Sequence, residues 1–316
     1  MLNLIEDVFM HASPVPESVS RYPAMLGPGD RSLYYYAAQS FYKFQGRIVD
    51  AGVFLGGTTN ALIEGMKDNK NYPHATPHKI SVYDRFLVSE PPYQNFILKN
   101  TGKKLELTDS FQNIFSELLG DNTSHIEIFP GDFLAYTYPY DFIEILGLDL
   151  CKSKDLTFHC AREFFPKMQP FKSIAIHQDY VHMWTPWIHV TMEALARYFI
   201  KTAEIDISAL FVCSKTPSLS DINIALDRLS DYEEALRLMD CAIAKVQTPR
   251  AHFALTLAKA KLIADLRSSS DAAMECLTSA SIAGYRGSEL PSSDRHGLMY
   301  QQMKAYIEKT TATASA

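Results

Sequence analysis

The chain reads as an α/β protein: a doubly wound, mostly parallel sheet, preceded by a helical cap and followed by a helical bundle. Three observations predict this. Short apolar runs at 47–51, 79–83, 125–129, 142–150 and 173–180 alternate with stretches of helical spacing, the pattern of repeated strand–helix–strand units with right-handed crossovers. The first run enters a turn bearing Gly52, Gly56 and Gly57, and a helical stretch begins near Thr58. From Ser220 onward, helical spacing continues with no strand between the helices.

With 316 residues, the length suggests about two domains, each able to bury a core. We expect an N-terminal cap over residues 1–40, a sheet domain over 41–216 and a helical domain over 217–316. A charged fraction of 21% against 47% apolar residues is that of a globular chain. The formal net charge is −6, which disfavours a broad grip on nucleic acid, because phosphates are neutralised by Lys and Arg. A small-molecule partner is the expectation. The five cysteines (Cys151, Cys160, Cys213, Cys241, Cys276) are scattered, without a C-x-x-C pair, and read as reduced thiols of a cytoplasmic protein. The start, MLNLIEDVFM, lacks a basic n-region, and no apolar run reaches bilayer length, so no membrane association is expected.

Taken in order, residues 1–45 show helix-like spacing (Leu4, Val8, then Leu33, Tyr36, Ala37, Ser40, Phe41) interrupted by Pro14, Pro16, Pro23 and Pro28. The aromatic cluster Tyr34, Tyr35, Tyr36, Phe41, Tyr42 and Phe44 fits one buried helix face. The polar stretch 68–78 is a loop that delays the second strand. Residues 109–120 form an amphipathic helix capped by Asp109 or Ser110 and stopped by Gly120. FIEILGLDL (142–150) is apolar apart from Glu144, as a central parallel strand should be. A helix from about Leu156 to Met168 leads to the fifth strand. Pro186 to Phe199 is then helical, and 205–214 is a strand closing the sheet. After Ser220, three or four antiparallel helices form a packing or dimerisation module, which makes a homodimer a candidate assembly. The last residues, TTATASA, read as a frayed tail.

The first strand–turn–helix unit, GRIVDAGVFLGGTTNALIEGM (46–66), is a nucleotide-site opening, because glycines admit close approach and a helix N-terminus offers unpaired N–H donors. A dinucleotide fingerprint, G-x-G-x-x-G, would need glycine where Phe54 stands. S-adenosylmethionine brings no phosphate but an ammonium and a sulfonium, which suit a carboxylate such as Asp50 and aromatic faces. The wording D-x-G-x-x-x-G-G-T, from Asp50 through Gly52, Gly56 and Gly57 to Thr58, resembles the first motif of class I S-adenosylmethionine-dependent methyltransferases, in the variant of macrocin O-methyltransferase-like (TylF-like) proteins. The resemblance covers about 180 residues and implies a Rossmann-like fold with cofactor contacts at Asp50, Gly52, Phe54, Gly56, Gly57 and Thr58.

Asp84 ends the second strand, where an acidic side chain accepts from a ribose diol. By resemblance, Asp132 would accept from the adenine amino group and Phe133 would pack on the ring. Asp149 and Asp179 end the fourth and fifth strands and would converge on one cleft if those strands are adjacent. With Gln178 they make a candidate magnesium site, Asp149, Gln178 and Asp179 being the ligands.

LDLCK (148–152) is similar to the D-x-x-K of metal-dependent catechol-type O-methyltransferases, whose aspartate binds metal and whose lysine is the base; QDY (178–180) is similar to the acidic pair on their next strand. TylF-like enzymes carry D-G-D instead, which puts Cys151 where their presumed base lies. The catalytic candidates are therefore Asp149, Lys152 and Asp179, with His177 and His182 as alternative bases. The stretch 177–199, with Trp184 and Trp187, either walls an acceptor pocket or staples its helix to the sheet. The resemblance implies methyl transfer to a hydroxyl of a sugar, glycoside or other secondary metabolite, with S-adenosylmethionine as cofactor and Mg2+ as a second candidate. Two rivals are an NAD-dependent oxidoreductase and a non-catalytic protein of this fold whose helical third binds a partner.

Overall fold

The computed structural model describes residues 14–73, 79–267 and 270–314. The expectations for Leu4 and Val8, for the end of the 68–78 loop and for Ser315 and Ala316 fall outside the described residues, whereas Thr310 to Ala314, expected as a frayed tail, continue the last helix. Seven strands form one sheet: β1 (Arg47–Ala51), β2 (Ile80–Asp84), β3 (Ile126–Pro130), β4 (Ile143–Leu148), β5 (Ile174–His177), β6 (Phe199–Ile205) and β7 (Ser208–Cys213). Their spatial order is β3-β2-β1-β4-β5-β7-β6. β1 through β5 run parallel, and β7 lies antiparallel to both β5 and β6. The Rossmann-like α/β class is as the sequence predicts, and the topological switch lies between β1 and β4, where ligands of such sheets bind at the carboxyl edge.

The sheet is buried on both faces, so its central strands are continuously apolar. All six residues of β4 are buried. Glu144 among them is tolerated because it accepts backbone N–H bonds from Gln45 (2.9 Å), Gly46 (3.0 Å) and Lys43, which satisfies a group that would otherwise be costly to bury. In front of β1 lie α1 (Glu17–Ser20), α2 (Pro28–Tyr36) and a π-helical turn, Ala37–Phe41. Tyr34, Tyr35, Tyr36 and Tyr42 are buried there, the packing role their spacing predicts.

Next come α3 (Gly57–Lys67), α4 (Pro91–Thr101), α5 (Gln112–Leu119), α6 (Lys154–Phe164) and α7 (Pro186–Ala194). The expected helix at 109–120 starts at Gln112; Asp109 instead accepts from Glu106 N at 2.8 Å, while Ser110 Oγ accepts from Gln112 N, the first N–H of the helix, at 3.3 Å. α6 has the cap its sequence offers, Ser153 accepting from Leu156 N at 3.3 Å. The expected helix from Pro186 to Phe199 is shorter: α7 ends at Ala194, and Phe199 already belongs to β6. The strand expected at 205–214 is β7 (Ser208–Cys213), and Asp206 (φ +52°) turns the chain into it from β6, a strand the sequence reading did not include.

The C-terminal part contains α8 (Leu219–Asp227), α9 (Tyr232–Ala244), α10 (Pro249–Arg267), α11 (Ser270–Ser279) and α12 (Arg295–Ala314). It also holds a short hairpin, β8 (Ser281–Ile282) with β9 (Tyr285–Arg286), in a region expected to be helical. Ala283 and Gly284 both have positive φ there, the turn that suits two-residue hairpins. One apolar cluster runs from Val49, Leu146 and Ala175 in the sheet through Leu226, Leu238 and Leu255 of this part. No helix of the described residues is long and apolar enough to cross a membrane.

Candidate functional site

The carboxyl edge is built by strand tips that bond one another. Gly52 N donates to Tyr83 O (2.8 Å), Asp149 N to Ala51 O (2.7 Å), Gln178 N to Leu148 O (2.9 Å) and Gly131 N to Asp84 O (2.9 Å). This fixes the turns after β1, β3, β4 and β5 side by side around the tip of β2. A cavity of about 40 Å3 lies among them, lined by Gly52 to Leu55, Gly57, Thr58, Asp149 and Gln178, and covered by Ala24 to Leu26.

The glycine turn is held from two sides. Below, Asp50 is buried, and its Oδ2 accepts from the hydroxyls of Thr58 (2.9 Å) and Thr59 (2.6 Å). Burial pushes its carboxyl up to about 6 despite those bonds. Asp50 and Thr58 therefore fasten β1 to the start of α3. Beside the turn, Asp84 accepts from Phe54 N (2.9 Å, Oδ2) and Phe86 N (2.7 Å, Oδ1), and burial raises its pKa. Asp84 thus shapes the loop. Phe54, in the left-handed region at φ +49°, joins an aromatic wall with Tyr93 (5.1 Å), Phe111 (5.4 Å) and Phe96 (5.7 Å).

The glycines are used by the protein's own chain. Gly52 has φ +89°, and a Cβ there would lie 2.7 Å from the Asp149 carbonyl carbon. Gly56, at φ +88°, faces Phe115 and the Tyr22 hydroxyl, and a Cβ on Gly57 would overlap Ala24. The covering strap is clasped by Arg31, whose guanidinium donates to Val19 O (2.8 Å), Tyr22 O (2.7 Å) and Ala24 O (3.3 Å). Tyr22 in turn donates to Leu55 O at 3.0 Å. The sequence reading placed a cap at 1–40, but it missed that residues 24–26 seat on the glycine turn; Gly57 next to Gly56 was the one trace of that contact.

At the tips of β4 and β5, Asp149 and Asp179 are brought together as expected, and Lys152 joins them. Its ammonium donates to Asp149 Oδ1 at 2.5 Å and also to Asp179 Oδ2. The two carboxylates raise the lysine pKa against the effect of burial, so Lys152 is the cation of this cluster and not a free base, a correction to that reading. Burial pushes Asp149 up to about 7, Lys152 pulling it back and Asp179 adding to the rise. Asp179 has φ +58°, a conformation held by its surroundings.

Gln178 is buried, and its Oε1 has no hydrogen-bond partner among the described residues. That orphaned acceptor beside the cavity suits a ligand N–H or ammonium. The expected divalent ion fits less well, because the Lys152 ammonium already occupies both carboxylates.

The remaining candidates disperse. Asp132 is exposed and caps a short turn, accepting from Leu134 N at 3.1 Å. Phe133 is buried against Phe164 (5.3 Å) and Tyr83 (5.6 Å). Cys151 is buried with its sulfur 3.6 Å from that of Cys160. His177 is in the core against Phe211 (5.8 Å). His182 is half-buried, and burial lowers its pKa, with Asp179 pulling upward and Lys152 and Arg295 downward. Trp187 meets Phe158 of α6 at 5.9 Å and Trp184 meets Tyr306 of α12 at 5.4 Å, so Trp187 pins α7 to α6 and Trp184 ties the turn before α7 to α12.

No known family model matches the chain, and no curated protein matches it by sequence. Solved structures do. The O-methyltransferase NovP is 14% identical, with a TM-score of 0.45 over 68% of this chain and 98% of its own. CalS11, a TDP-rhamnose 3′-O-methyltransferase of calicheamicin biosynthesis, is 15% identical, with a TM-score of 0.43 over 67% of this chain and 92% of its own. Human N-acetylserotonin methyltransferase is 12% identical, with a TM-score of 0.31 over 59% of this chain and 52% of its own.

Proposed function

We propose that the cleft binds S-adenosylmethionine and directs its methyl group to a hydroxyl of a small molecule, a sugar, glycoside or other secondary metabolite in the manner of macrocin O-methyltransferase-like proteins. The observation that carries the reading is the convergence of the glycine turn at 52–57 with Asp149 and Gln178 on one cavity at the switch point of the sheet. When bound, the cofactor supplies a sulfonium methyl group open to in-line attack by oxygen.

In this reading Gln178 Oε1 accepts from the donor's ammonium, satisfying a buried acceptor. Asp84 keeps the turn in shape, and its oxygens retain lone pairs for a ribose diol. Asp132, at the neighbouring tip, is the candidate for the adenine edge. Asp149, with its pKa pushed to about 7, is matched to taking a proton from an acceptor hydroxyl near neutral pH, and His182 is the alternative. The rest of the rate would come from holding oxygen and methyl in line.

A cavity of about 40 Å3 is far below the roughly 300 Å3 and more of ligand pockets. In this reading the covering segment, Ala24 to Leu26, moves off Gly57 to admit the cofactor. The same observation favours a second reading, a non-catalytic protein whose glycine turn is permanently self-filled. An NAD-dependent oxidoreductase is disfavoured, because β7 is antiparallel and lies between β5 and β6, unlike the order of the classical dinucleotide sheet.

Calorimetry with S-adenosylhomocysteine and with NADH, followed by transfer of a labelled methyl group to a library of hydroxyl acceptors, separates the three. Binding of the first ligand with transfer to any acceptor supports the proposal. Binding without transfer favours the non-catalytic reading, and binding of NADH alone ends the case for methyl transfer.

A further inference from the structure

We infer that the Lys152 ammonium is a tethered replacement for a divalent ion: it seats itself between the two strand-end carboxylates and makes the site independent of metal. Three features carry this. Nζ donates both to Asp149 Oδ1, at 2.5 Å, and to Asp179 Oδ2, the two charged oxygen donors that would have to hold the ion. The remaining donor of the candidate set, Gln178, is neutral, so the three side chains together carry at most a charge of −2, and the ammonium cancels at least half of it. The lysine reaches both carboxylates from a position three residues after Asp149 in the same strand-end turn, so its effective concentration there is set by the fold and not by the solution.

A divalent ion would have to displace this cation, losing two charge-assisted hydrogen bonds before gaining its own contacts. An ammonium has three N–H donors. Two are used on the carboxylates, and the third is available to an acceptor oxygen, which makes Lys152 a positioning residue. This last role rests on the methyl-transfer reading; the occupation of the cation position does not.

The test is a Mn2+ titration of the full chain, followed by electron paramagnetic resonance without methyl donor or acceptor. The wild-type protein is expected to bind no Mn2+ in the range where Lys152→Met does, the variant gaining at least tenfold in affinity. Adding Asp179→Asn to Lys152→Met should abolish the gain. Lys152→Gln provides a second neutral variant should the methionine form fail to fold, as judged by circular dichroism. Wild-type binding of Mn2+ as tight as that of either neutral variant, lost in Asp149→Asn, would overturn the inference. Because no cofactor enters the titration, a failure to bind S-adenosylhomocysteine would sink the methyl-transfer reading while leaving this result standing.

Discussion

Gly52 and Asp149 are pressed together: the space for a Cβ on the glycine is taken by the aspartate's own carbonyl, 2.7 Å away, while Asp149 N donates back to Ala51 O at 2.7 Å. The first glycine of the turn is thus required by the neighbouring strand tip before any ligand is considered. Gly52→Ala meets both this overlap and a φ of +89°, and we expect it to cost about 2–4 kcal/mol of stability. Gly102→Ala is the control, since Gly102 has φ +70° but nothing within 4 Å of its Cβ position. It should lose only the roughly 1–2 kcal/mol of left-handed strain. Urea unfolding of the two variants reads the difference, and equal losses would show that the approach of Asp149 is not tight.

The strap over the turn gives a second expectation. Arg31→Ala removes the donors to Val19, Tyr22 and Ala24 carbonyls and so destabilises the closed arrangement relative to an open one. If opening precedes binding, the apparent affinity for S-adenosylhomocysteine rises in proportion to the open population, by about tenfold for each 1.4 kcal/mol of clasp lost. Stopped-flow binding should show the gain in the association rate; an unchanged rate would mean the strap does not gate the cleft.

Asp149 and Lys152 are linked in titration. The ammonium lowers the Asp149 pKa against burial, so Lys152→Met should move the Asp149 midpoint upward from about 7. Carboxyl carbon NMR follows this without substrate. In a methyl-transfer assay, the rising limb of the pH–rate profile should shift in the same direction. A midpoint that stays or falls would remove Asp149 from the role of base.

Asp50 links stability to pH. Its folded-state value of about 6 lies above the ordinary 3.8, so the folded chain binds that proton more tightly than the unfolded one. The associated stability is present below pH 4 and is lost as pH rises from about 4 to 6. Asp50→Asn, which cannot ionise and keeps an oxygen for Thr58 and Thr59, should gain on the wild type across that window, by at most about 3 kcal/mol. Denaturant midpoints at pH 4.5 and pH 7, run in parallel, would expose the idea as wrong if the gap between the two proteins did not widen.

Much of the sheet was legible because its strands are buried on both faces and so read as unbroken apolar runs. β6 was not, because Phe199–Ile205 has one buried position and carries Lys201 and Glu204, the composition of an edge. α4 was overlooked for a similar reason: only Ile97 is buried in it, although Pro91 and Gly102 mark its two ends as start and stop signals. At the site, the acidic strand tips were visible, since strand-end carboxylates follow from the strand pattern alone. The strap was not, because the contact of Ala24 with Gly57 joins segments whose spacing carries no periodic signal. The ammonium between Asp149 and Asp179 was present in the sequence as Lys152 but read as a proton acceptor, since its partners became clear only once β4 and β5 were side by side.

The cap's attachment has a bearing on how the chain comes off the ribosome. Asp206 Oδ2 accepts from Gly29 N at 2.6 Å, across 177 residues, and Ser208 donates to Asp30 Oδ1 at 2.7 Å. These two ties of the cap therefore cannot form until the β6–β7 hairpin has been synthesised, whereas the Arg31 clasp and the Tyr22–Leu55 bond need no residue beyond Leu55. The order of synthesis thus separates the two attachments of the cap: its seat on the glycine turn draws on residues made early, and its anchor at the β6–β7 edge of the sheet on Asp206 and Ser208, made about 150 positions after Leu55.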